Sequence, residues 1–234
     1  MAGYILITIV MMLISIAVQQ KLKSKFKHYQ GLHLQNRMNG RQIAEKMLAD
    51  HGLFDVKIIQ VDGQLTDHYN PANKTVNLSY DVYHGENAAA AAVAAHECGH
   101  AVQHATAYSM LGFRSKLVPL QNVSATILNV VIFASAFLGF GIAGAGGGKT
   151  MLGVIIACYS VITLFALVTL PVEFDASKRA LAWMESKGVV SAKEHDGAKD
   201  SLKWAAMTYV AAAMGALVNL LYFLLQFIGA GRDE

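Results

Sequence analysis

Four long apolar stretches without interior Asp, Glu, Lys or Arg constrain this chain more than any other feature. They run from Ala2 to Val18, Leu117 to Gly148, Thr150 to Val172 and Ala205 to Gly231. A helix that crosses the hydrocarbon core needs about 20 apolar residues, with a range of about 17–25. The last three stretches meet that length and the first sits at its short limit. With 54% hydrophobic and 15% charged residues, the chain is too apolar for an ordinary soluble domain. Basic residues follow the first stretch, as Lys21, Lys23, Lys25 and Lys27, instead of preceding it. A cleaved signal peptide has the opposite order, so a retained anchor with an outside N-terminus is expected.

The charges set an expected orientation. Seventeen of the 19 Lys and Arg, and all nine His, fall in residues 19–116 and 173–204. Basic residues near span ends mark the cytoplasmic side. Four spans with both termini outside place both polar segments in the cytoplasm. The expected organisation is therefore a first span at 1–20, a cytoplasmic part at 21–116 and two spans in 117–172. A second cytoplasmic segment at 173–204 and a last span with its tail at 205–234 complete it. The formal charge of +3 suits membrane orientation and gives no reason to expect a nucleic-acid partner. Cys98 and Cys158 lie in a helix and a span, and neither is expected in a disulfide. Gly144-Ala145-Gly146-Gly147-Gly148 reads as the turn between the second and third spans.

Within the polar segments, Gln19–Gln30 continues the first helix as a basic stalk. Ile43, Met47 and Leu48 recur at helical spacing in Arg41–His51, with Gly52 as its stop. Val56–Val61 reads as a strand, Asn70-Pro71-Ala72-Asn73 as a turn, and Thr75–Tyr83 as a half-buried strand. Asn87 is a suitable N-cap for an Ala-rich helix from Ala88 that carries His96-Glu97-Cys98-Gly99-His100. Residues 173–204 read as two short helices broken near Gly188.

His96 and His100 are one turn apart, offset by about 40° and about 6 Å, so their imidazoles converge on one ion. Zinc accepts such nitrogens, and a catalytic zinc takes three protein ligands. Glu97 beside them is placed to act as general base, the logic of H-E-x-x-H in amide hydrolysis. The third ligand has two candidates. His104 lies one further turn along, where the curve of the helix works against it. Glu173 abuts the third span, where an acidic residue needs a reason to stand.

His96–His100 followed by Glu173-Phe174-x-Ala176 resembles membrane gluzincin peptidases of the HtpX and CAAX-prenyl-protease type. A closer resemblance is to the YugP-type group of bacterial membrane zinc peptidases. It rests on Leu65–Pro71, Val76–Ser79, Ala94–Gln103 and Leu170–Ser177, and extends over nearly the whole chain. The resemblance implies Glu173 as the third zinc ligand. It also implies a strand edge beside the motif helix that pairs with extended substrate, making Asn77, Leu78 and Ser79 candidate substrate contacts. HtpX-type chains carry Asp four residues after the ligand Glu, to orient a zinc His; here that position is Ser177. Arg179, His195 and Tyr209 are oxyanion-donor candidates by location alone. Asp67 and His68 read as a hydrogen-bonded turn pair and Cys98 as a small buried side chain.

The resulting expectation is an α-helical multi-span membrane protein with a small α+β, zincin-like cytoplasmic domain. Its cofactor is Zn2+, bound by His96, His100 and Glu173. Its activity is zinc-dependent hydrolysis of peptide bonds, with Glu97 as base. Its partners are a protein or peptide substrate and membrane lipid. Hydrolysis of a non-peptide amide, or a scaffold with a structural zinc, are the rival readings.

Overall fold

The computed structural model describes residues 2–137 and 148–230. The expected Gly-rich turn lies outside them, apart from Gly148, which opens a helix. Seven helices and three strands are described: α1 (Ala2–Gln30), α2 (Gly40–Asp50), β1 (Lys57–Val61), β2 (His68–Asn70), β3 (Thr75–Ser79), α3 (Tyr80–His84), α4 (Ala88–Ala105), α5 (Ser109–Phe137), α6 (Gly148–Ser186) and α7 (Ala192–Ala230). The protein is a helical membrane protein with a small α+β domain. Four helices are long and apolar enough to cross a bilayer: Gly3–Gln30, Ser109–Ala134, Gly148–Ser186 and Ala192–Gly229.

The chain divides into two units, and α1, α5, α6 and α7 run from one into the other. The first unit holds residues 1–17, 113–170 and 209–234. Leu128, Leu152, Ile155, Cys158 and Phe223 form its buried centre. Tyr4, Tyr159 and Phe223 pack ring on ring there, and the Tyr4 and Tyr159 hydroxyls lie 3.3 Å apart. Its outward residues are apolar, among them Leu6, Leu13, Phe133 and Leu225, all exposed. A run of such residues along long helices is the surface that lipid covers.

The second unit holds residues 18–112 and 171–208. Its sheet has the order β1-β3-β2, with β1 parallel and β2 antiparallel to β3. All of β3 is buried. The expected strand to Tyr83 stops at Ser79, and the chain turns into the short helix α3. The alternation breaks there: Val82 is buried while Tyr80 is 60% exposed. Asn39 starts α2 through a capping box with Gln42, and Gly52 follows its end at φ 71°. Residues 173–204 are not two independent short helices. They are the ends of α6 and α7, which separate at Gly188, at φ 58°. Pro171 sits inside α6 without ending it.

The core of this unit gathers Ile43, Met47, Val76, Leu78, Val82, Val102, Trp183 and Met184 around the Ala-rich α4. Cys98 is fully buried within it, and its Sγ lies 3.7 Å from the Ala44 carbonyl. Burial, and then the charge of Glu97, push its thiol pKa well up, so it packs as a small apolar group. Small residues let α4 approach its neighbours closely. A Cβ on Gly99 would stand 2.6 Å from the backbone oxygen of Ala176 on α6. Backbone cannot yield as a side-chain tip does, so Gly99→Ala must push α4 and α6 apart. We expect it to destabilise the protein by about 1–3 kcal/mol. A lower Tm in detergent and reduced zinc content of the purified protein would show it.

Candidate active site

The spacing of the two motif histidines works out as helix geometry requires. Their rings lie 4.7 Å apart, nearly perpendicular, on the regular helix α4 that Asn87 caps through the Ala90 N–H. Opposite them stands Glu173, two residues after Pro171 on α6 and 3% exposed. Its Oε2 is 3.3 Å from His96 Nε2 and 3.5 Å from His100 Nε2. Among the described residues this is the group of His, Cys, Asp and Glu whose three donor atoms fall together, within 4.8 Å. Glu173, not His104, completes the cluster.

The other ring nitrogens decide which atoms face inward. Gln103 Nε2 donates to the Val172 carbonyl and to Asp175 Oδ2, each at 2.8 Å. Both are pure acceptors, so the amide is oriented, and its Oε1 must be the atom 3.0 Å from His100 Nδ1. That nitrogen therefore carries the proton and donates, and the neutral ring's lone pair sits on Nε2, toward Glu173. On His96, Nδ1 lies 3.1 Å from Ser177 Oγ, again leaving Nε2 for the cluster. Ser177 thus takes the orienting position that the sequence left in doubt. Asp175 acts on the other histidine, through Gln103. Arg179 Nε in turn donates to Asp175 Oδ2 at 2.6 Å, completing a chain from Arg179 to His100.

Lone pairs of two imidazoles and a carboxylate pointed at one another repel unless a cation lies between them. Burial acts to lower the His100 pKa, yet Glu173 and Glu97 outweigh it and hold the value above the ordinary imidazole range. The cluster is built to hold positive charge. The donor set and spacing fit zinc: two donors about 2.1 Å from an ion at the tetrahedral angle are about 3.4 Å apart.

Glu97 lies beside the cluster, 8% exposed. Its Oε2 accepts a hydrogen bond from the Tyr69 backbone N–H at 2.9 Å. Tyr69 lies on β2, the strand at one edge of the sheet. Its phenol Oη is 2.9 Å from His104 Nδ1, so His104 serves Tyr69 and not the metal cluster. Asp67, just before β2, accepts from the Ser79 N–H at 2.7 Å and from the Ser79 hydroxyl at 3.1 Å. Burial, with a smaller push from Glu97, raises its pKa against those bonds. His68 turns back to the Thr66 carbonyl.

Asn77, Leu78 and Ser79 lie on β3, the middle strand. Thr75 to Asn77 pair with both neighbours, while Leu78 and Ser79 pair with β1. Asn77 is 7% exposed and its amide is spent on Thr75 and His68, while Ser79 is held by Asp67. The edge beside α4 belongs to β2. Of the oxyanion candidates, Arg179 is committed to Asp175 and stacks over Tyr108. His195 lies in the first turn of α7, and Tyr209 belongs to the other unit. Sequence reading passed over two residues. Gln103 had a signal, since it is three residues past His100 on the same helix face. Tyr69 had none beyond its place in Leu65–Pro71, because its contact with Glu97 crosses 28 residues of chain.

Residues 4–228 match the family described as "Putative neutral zinc metallopeptidase". The chain belongs to this family. Its cofactor is accordingly Zn2+, and the His96, His100 and Glu173 cluster is a site of the right chemistry for it. The chain is also 37% identical over 231 residues to the "Putative membrane protease YugP" of Bacillus subtilis, covering 99% of each chain. No solved structure matches it.

The ring partners offer a test apart from catalysis. Ser177→Ala and Gln103→Ala are each expected to weaken zinc retention about 10–100-fold, as loss of a histidine's outer hydrogen bond does elsewhere. Competition with a chromophoric chelator would measure it. Gln103→Glu, which keeps an acceptor for His100 but loses the donor to Val172, is expected to fall between wild type and Ala.

Proposed function

We propose that this protein is a membrane zinc endopeptidase in which His96, His100 and Glu173 hold the metal and Glu97 is the general base. The observation that carries this reading is the tautomer set by Gln103. It aims the His100 lone pair at Glu173, with Glu97 immediately alongside. A zinc ion held there supplies Lewis acidity to the attacking water and the peptide carbonyl. Glu97 takes a proton from that water as its oxygen bonds to the carbonyl carbon. It then passes the proton to the leaving nitrogen as the C–N bond breaks. Its hydrogen bond from Tyr69 holds one carboxylate oxygen and leaves the other for this transfer.

The edge of β2 suits an extended peptide laid beside α4. In the sequence Glu173 directly follows the apolar stretch Thr150–Val172. Substrates presented at the bilayer surface, membrane-associated or misfolded proteins, follow from that placement. The basic stalk residues Lys21 to Lys27 support a cytoplasmic position for the site.

Glu97→Gln separates this reading from a structural zinc site. It should keep its zinc and lose about 10²–10⁴-fold in peptide cleavage, the usual worth of a positioned base. A scaffold would tolerate the change. Glu173→Ala should lose both zinc and cleavage, while His104→Ala keeps its metal. Elemental analysis beside cleavage of a quenched fluorescent peptide reads both quantities.

A further inference from the structure

Tyr69 meets α4 at both of its ends. Its backbone N–H meets Glu97 at 2.9 Å, and its phenol meets His104 at 2.9 Å. On α4, Glu97 lies about 100° around the helix from His96, and His104 about 80°. The two are nearly aligned, about 10 Å apart along the axis. A side chain that starts at one and ends at the other must run along that line. His100 lies between them in height, at about 40°. The Tyr69 ring therefore walls the Glu97 side of the metal donors, while Glu173 and Ser177 of α6 stand on the other side.

A phenol is a donor when protonated, and partial burial pushes the Tyr69 pKa up, which keeps it so. When His104 Nδ1 carries its proton it donates to the phenol oxygen and leaves the phenolic hydrogen free. Arg179, the nearest guanidinium candidate by sequence, is already bound to Asp175. From this placement we propose that Tyr69 is a catalytic residue. Its hydroxyl, oriented by His104, donates to the oxygen of the scissile peptide carbonyl as negative charge develops there. His104 is a positioning residue that acts through Tyr69. The proposal rests on the peptidase reading above and adds a group to it.

A donor to developing charge is worth about 10²–10³ in kcat and little in substrate binding. The test uses the full-length zinc protein in detergent. Tyr69→Phe should keep its zinc and its Tm, lose about 10²-fold or more in kcat, and change KM by less than about 3-fold. A phosphinic peptide presents a tetrahedral oxyanion, so its affinity by calorimetry should fall with kcat/KM. His104→Ala should lose less, and His104→Gln, which keeps an N–H for the phenol, should recover part of it. Tyr69→Phe with wild-type kcat, with a change in KM alone, or with undiminished phosphinic-peptide affinity overturns the role of Tyr69. A wild-type protein that holds zinc yet neither cleaves peptide nor binds the phosphinic peptide overturns the peptidase reading, and this proposal with it.

Discussion

The contact between Gly99 and the Ala176 backbone is the constraint on which the site depends. The His96, His100 and Glu173 side chains come together from two different helices, α4 and α6, beside this contact. Gly99 lies between the two motif histidines, and Ala176 lies three residues after Glu173. A close approach of the two backbones therefore lies next to the three clustered side chains. The Ala-rich body of α4 extends the same economy of volume, with Ala91, Ala92, Ala94 and Ala95 all buried. Close-packed interiors resist small displacements, so packing at this contact fixes the spacing of the three side chains.

Helix α6 then does two jobs with one short segment. Glu173 and Ser177, one turn apart, face His96, while Val172 and Asp175 face Gln103. One turn of helix thus supplies the Glu173 carboxylate of the cluster, a hydroxyl beside one imidazole and the two acceptors that orient the amide serving the other. Pro171 at its start removes a backbone donor but leaves the Val172 carbonyl to Gln103. Arg179 neutralises Asp175, so the charge facing the metal comes from Glu173 and Glu97.

Much of this was legible in the sequence wherever a local rule governed. The Asn87 cap, the histidines one turn apart, the bound on Glu173 by the apolar span before it, and the break at Gly188 each follow from nearest neighbours along the chain. Contacts set by tertiary folding were not legible. Residues 75–83 alternate as a strand does, yet Asp67 captures Ser79 from another part of the chain and the strand ends there. A parallel partner, β1, runs along all of β3 and an antiparallel one, β2, along Thr75 to Asn77, and β2 is a three-residue strand too short for any periodicity to announce. Tyr69 owes its place to that strand. His104 could be read as a ligand by helix spacing alone; its actual partner, Tyr69, lies 35 residues away.

The replacement of a carboxylate by Ser177 at the His96 ring bears on the chemistry of the site. A carboxylate behind an imidazole pulls on its N–H and makes the opposite nitrogen a stronger base, so more electron density reaches the metal. Hydroxyl and amide acceptors pull less. Here the Nδ1 atoms of both histidines have neutral partners, Ser177 and Gln103, and Asp175 is separated from His100 by the Gln103 amide and paired with Arg179. Under the proposed function, such a pair of imidazoles would hold zinc through geometry more than through basicity and leave it more able to polarise a carbonyl. The rigid approach of α4 and α6 at Gly99 compensates for the weaker donors, because little conformational freedom remains to be lost when the ion binds. Packing at one glycine and electronic softness at two histidines are then complementary features of a single design.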